Sequence, residues 1–69
     1  MIFKQIFIYP NKKQDECYGF PDLKEGDIYI SNVYPNIEWE VYQTYSLYWF
    51  KHHTKETVKE KYYFLKCLT

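Results

Sequence analysis

Ile37-Glu38-Trp39-Glu40-Val41-Tyr42-Gln43-Thr44-Tyr45 is the stretch that decides the fold class. Ile37, Trp39, Val41 and Tyr45 fall on one side of a period of two, and Glu38, Glu40, Tyr42 and Thr44 on the other. A helix would bring apolar residues round every three or four positions. Alternation is the mark of an antiparallel strand with one buried face and one wet face. The pattern continues downstream, where Ser46-Leu47-Tyr48-Trp49-Phe50-Lys51 predicts a further strand after a tight turn near residues 43–46, or through a bulge. Upstream, residues 27–34 put Ile28, Ile30 and Tyr34 on one face and Tyr29, Ser31 and Val33 on the other, before a turn at Pro35-Asn36.

The two ends of the chain read the same way. Residues 2–9 are rich in β-branched and aromatic side chains and stop at Pro10; apolar residues on both faces predict a central strand or one whose outer face is covered. Residues 58–68 predict the last strand. Residues 51–61 are polar, and the Thr57/Glu60 spacing would suit a short helix as well as a hairpin end. Residues 11–26 form the long irregular stretch, with Asn11, Gly19, Pro21, Asp22 and Gly26 as turn residues and room for one short helical turn at 22–25. Residues 1–69 thus read as a single β-rich domain. The expected class is all-β, either a small antiparallel sheet or a partly open five-stranded barrel.

Composition narrows the function. Nine Lys balance nine Asp plus Glu, and there is no Arg and no Ala. Zero net charge removes the general attraction that supplies most non-specific affinity for nucleic acid, and the missing Arg removes the bidentate fork used on guanine and phosphate. Abundant Lys, Ile, Tyr, Phe and Asn also fit an AT-rich genome. No run approaches 18 apolar residues, so no membrane helix is expected, and residues 1–9 are too short and too interrupted by Lys4 and Gln5 for a signal peptide. A cytoplasmic location follows, and with it two reduced thiols at Cys17 and Cys67 rather than a disulfide.

Catalytic and metal chemistry find little support. His52-His53 lack the spacing of zinc ligands, and the two Cys add none. Cys17 stands beside Asp15 and Glu16, whose charges disfavour a thiolate, and Cys67 reads as a small buried hydrophobe. Two Gly cannot build a phosphate loop. No cofactor, metal or enzymatic activity is expected.

The informative feature is an aromatic surplus. Sixteen aromatic residues, nine of them Tyr, exceed the roughly eight to ten that a core of this size absorbs. Tyr18, Tyr29, Tyr42, Tyr48 and Tyr62 are the candidates for the surface, where Tyr offers stiff contact area and a hydroxyl. Five acids and two aromatics fall within residues 15–27. The expected function is therefore a non-enzymatic protein-binding module, concretely a small inhibitor or adaptor of phage or mobile-element type. Asp15, Glu16, Tyr18, Phe20, Asp22, Glu38, Glu40, Tyr42 and Tyr48 would meet another protein, such as a basic nucleic-acid-binding one. Two alternatives compete. One is a barrel stacking single-stranded nucleic acid on Tyr29, Tyr42, Tyr48 and Trp49, guided by Lys51, Lys55, Lys59 and Lys61. The other is a structural homo-oligomer, a homodimer for example, formed through a Tyr-rich edge strand.

Overall fold

The alternating stretch becomes the start of the longest strand of the molecule. The computed structural model describes all 69 residues as five strands: β1 (Ile2–Ile8), β2 (Gln14–Tyr18), β3 (Ile28–Ile30), β4 (Glu38–Lys51) and β5 (Glu56–Cys67). They form one sheet in the order β2-β1-β5-β4-β3, curled into a half-barrel. The all-β class and the partly open form agree with the sequence reading. The sheet is mixed, however: β1 and β5 run parallel, and the other three pairs are antiparallel. β1 is an interior strand, the first of the two readings its apolar faces allowed.

The number of strands matches expectation, but their identity does not. Residues 38–51 make one continuous strand, because the break near residues 43–46 is a bulge between Val41 and Gln43. The fifth strand lies inside the supposed irregular stretch, where residues 14–18 pair with β1 as a hairpin. Its turn is closed by Tyr9 N–H donating to Lys13 O and Lys12 N–H donating to Tyr9 O. Residues 22–25 form no helix, and β5 begins at Glu56.

Residues opposed across a ladder share a face, so the register sorts every strand side chain into an inner or an outer set. The inner set includes Phe7, Trp39, Val41, Tyr63 and Leu65, which with Tyr9 and Tyr29 make the core. Phe7 stacks between Tyr29 and Tyr63, at centroid distances of 4.0 and 4.8 Å. Phe20 closes edge-on over Phe7 and Tyr29, while Tyr34 and Trp39 pack edge-on around Tyr9.

A buried polar clamp holds the loop over this core. Gln5 is fully buried; its Nε2 donates to Tyr63 Oη (3.0 Å) and to Pro21 O (3.2 Å), and its Oε1 accepts from Phe20 N–H (3.1 Å). Tyr63 Oη also accepts from Leu23 N–H and lies 3.3 Å from Asp22 Oδ1. One amide and one phenol thereby satisfy backbone groups that would otherwise be buried without partners. Trp39 Nε1 is the one buried side-chain polar atom left unpaired.

Candidate protein interface

The site is built from the outer set, which no loop or helix covers. Four rows cross the sheet there: Ile2, Val58 and Trp49; Tyr18, Lys4, Glu60 and Leu47; Glu16, Ile6, Tyr62 and Tyr45; Gln14, Ile8, Phe64 and Gln43. Tyr42, the extra residue of the bulge, leans toward Phe64 with ring centroids 6.4 Å apart, and Tyr45 toward Tyr62 at 6.2 Å. Ile28 and Ile30 of β3 belong to the same face, opposite Glu40 and Glu38. Tyr18, Ile28, Ile30, Tyr42, Tyr45 and Trp49 are all exposed on it. Ile6 and Val58 are buried in the midst of this face, so the rings beside them cover some apolar surface, but most of the area of these six side chains is left beyond that need.

The charge of this face is acidic. Glu16, Glu38, Glu40, Glu56 and Glu60 oppose only Lys4, Lys51 and Lys66. Lys4 Nζ sits 3.3 Å from Glu16 and 3.8 Å from Glu60, and Lys66 reaches Glu40 at 3.7 Å. The Glu16 carboxylate holds the Lys4 ammonium above the ordinary lysine range. Glu38 and Glu56 carry no ion pair.

The residues expected at an interface are divided by the sheet. Glu16, Tyr18, Glu38, Glu40 and Tyr42 share the outer face, the first two on β2 and the other three on β4. The others lie elsewhere. Asp15 points inward and accepts from Tyr9 Oη at 2.7 Å; burial, with a smaller push from that carboxylate, drives the Tyr9 phenol well above the ordinary tyrosine range. Phe20 is a lid of the core, and Asp22 is tied to Lys61, whose ammonium holds its carboxyl below the usual carboxylate range. Tyr48 is exposed on the inner side of the projecting hairpin, where Lys59 Nζ lies 5.8 Å from its ring.

Four other expectations are corrected. Tyr29 is buried against Phe7, and Ile28 and Ile30 face solvent, because period-two alternation fixes which residues share a face without fixing which face is covered. Tyr45 is 58 % exposed on the outer face, since the bulge at Tyr42 reverses the phase of everything after Val41. Tyr62 is half-buried, and Cys67 is exposed near the chain end; both Cys are free. Tyr45, Ile28 and Ile30 therefore join the candidate face unforeseen, and Trp49, read from sequence only as a stacking platform for nucleic acid, lies on it too. The sequence carries no signal at the bulge, where neither Gly nor Pro stands.

The two surface depressions measure about 230 and 240 Å³, the first lined by Tyr9, Tyr34, Ile37 and Trp39, the second by Asp15, Cys17, Tyr29 and Ser31. Neither reaches the roughly 300 Å³ of an ordinary ligand pocket. No cluster of three His, Cys, Asp or Glu side chains forms that would hold a metal, and no helix is long and apolar enough to cross a membrane. Comparison with protein-family models, curated proteins and solved structures finds no match.

Proposed function

We propose that the chain is a non-enzymatic protein-binding module, an inhibitor or adaptor that lays the outer face of its sheet on a partner and covers that partner's working surface. The observation that carries the reading is the gathering of Tyr18, Tyr42, Tyr45 and Trp49, all exposed, on a face with two more Glu than Lys. Large amphipathic rings supply contact area at low entropic cost, and the surplus of carboxylates favours a basic partner, a nucleic-acid-binding protein for example. The carrier of this charge is the sheet face rather than the loop, whose Asp22 is already paired. The Arg-free, Ala-free composition is compatible with a phage or mobile-element origin and does not establish it.

Direct stacking of single-stranded nucleic acid is less well supported. Tyr29 is buried, Trp49 and Tyr48 point to opposite faces, and Lys61 is occupied by Asp22, so the aromatics and lysines it needs do not share one platform. The test is capture with the tagged chain from host lysate, with and without nuclease, beside a Tyr18→Ser/Tyr42→Ser double variant and a Tyr48→Ser control. One stoichiometric, basic, nuclease-resistant protein retained by wild type and the control, and lost by the double variant, is the expected result. Retention of nucleic acid alone, or of the same protein by the double variant, would overturn the reading.

A further inference from the structure

The outer edge of β4 changes character at Val41. Up to that residue it is covered: β3 pairs with Glu38–Glu40, Gly26 N–H donates to Val41 O, and Val41 N–H donates to Asp27 O. From Gln43 to Lys51 it bonds to nothing, because β5 occupies only the other side. This leaves nine consecutive residues of bare strand edge. Such edges are normally blunted by charge, by Pro or by a covering segment. Gln43-Thr44-Tyr45-Ser46-Leu47-Tyr48-Trp49-Phe50 has no charged residue, no Pro and no Gly.

We propose that this edge pairs with the same edge of a second copy, antiparallel about a two-fold axis at Leu47, joining two five-stranded sheets into one of ten strands. The window itself selects the register. The bulge and β3 close it at one end and the hairpin turn at His52 closes it at the other, so Leu47 is its midpoint and only a two-fold there uses all of it.

The segment is complementary to itself in that register. On the inner side Thr44 faces Phe50 and Ser46 faces Tyr48, each bulky ring meeting a small hydroxyl residue. On the outer side Tyr45 faces Trp49, an aromatic cross-strand pair, and Leu47 meets its own copy. Lys51 faces Gln43, so no like charges are opposed. Roughly eight to ten main-chain hydrogen bonds would form between the copies. The contact is isologous and closes on itself, which ends assembly at the dimer. It also sets both outer faces on the same side of the joined sheet, although the pairing does not depend on those faces having a partner.

The test follows the mass of the full chain, 8.6 kDa as a monomer, by sedimentation from about 1 μM to 1 mM, a range that brackets modest dimer affinities. Wild type is expected to approach twice the monomer mass. Leu47→Lys opposes two ammonium groups at the axis and is expected to weaken the dimer roughly tenfold or more. Mixing Leu47→Lys with Leu47→Glu is expected to restore it. Amide exchange in wild type, independent of any variant's folding, is expected to slow within residues 43–51 as concentration rises. A wild-type monomer at 1 mM overturns the proposal, as does a dimer indifferent to Leu47→Lys or one whose edge amides exchange unchanged. None of these outcomes bears on whether the outer face captures a partner protein.

Discussion

Tyr63 and Tyr48 sit on the same face of neighbouring strands, yet Tyr63 is fully buried and Tyr48 is 62 % exposed. The difference lies above them. Over the body of the sheet, residues 20–23 are clamped down by Gln5 and Tyr63, and Tyr34 and Ile37 fold in from the following loop. Over the projecting end of the β4–β5 hairpin there is no second layer, and the molecule extends to 43 Å along its long axis against 21 and 20 Å across. The same residue types therefore have opposite fates. In the body, aromatic rings stabilise the fold. On the arm they are left available to something outside it. A sheet curled over one thin core cannot shelter both ends of a 14-residue strand.

The largest expected effect comes from substituting one Phe at each end. Phe7→Ala empties the centre of a three-ring stack and is expected to cost about 3–5 kcal/mol, comparable with the whole stability of a domain this small. Phe50→Ala, at the arm, is expected to stay within about 0.5 kcal/mol of wild type. Urea unfolding measures both, and equal losses would erase the distinction between body and arm.

The clamp gives a smaller effect and a sharper one. Gln5→Leu keeps the volume but strips partners from Phe20 N–H and Pro21 O, so a loss of about 2–3 kcal/mol is expected. Amide exchange should quicken at residues 20–23 while residues 43–51 are unaffected. A uniform response along the chain would mean that the loop is not held locally.

The smallest effect is electrostatic. Lys61 lowers the Asp22 carboxyl, so this pair adds stability above the ordinary carboxyl pKa, 3.8, and that contribution is lost as pH falls through the lowered value. Asp22 is more than half exposed, which limits the contribution to about 0.5–1 kcal/mol. Asp22→Asn is expected to remove that much at pH 7 and to flatten the acid limb of the stability curve. An unchanged acid limb would show that the pair contributes nothing to holding the loop.

Much of this molecule was legible in local pattern. The alternation at 37–45, the β-branched run at 2–9 and the closing run at 58–68 each announced a strand, and two apolar faces marked β1 as interior or covered on its outer side. The excess of aromatics showed that some Tyr must be exposed but not which: of the five candidates Tyr18, Tyr42 and Tyr48 are exposed, while Tyr29 is buried and Tyr62 half-buried. β2 was hidden because Gln14-Asp15-Glu16-Cys17-Tyr18 has weak strand propensity and is held by its partner β1. A bulge was one of the two readings of the break near residues 43–46, but its place at Tyr42 was hidden, because an added residue in one strand is defined only against the register of another.

By itself, then, the sequence determined the class of fold, the chain order of its strongest strands and the presence of more aromatic surface than one core can bury. These are local properties, fixed by period, propensity and composition. Only the tertiary structure decided which side of each strand is inside, that β1 and β5 run parallel, that Phe20 and Tyr29 are core while Tyr45 and Trp49 are not, and that β4 outruns β3 to leave a bare edge. Each of these depends on which distant segment lies beside or above a residue, and period-two alternation is the same whichever face is covered.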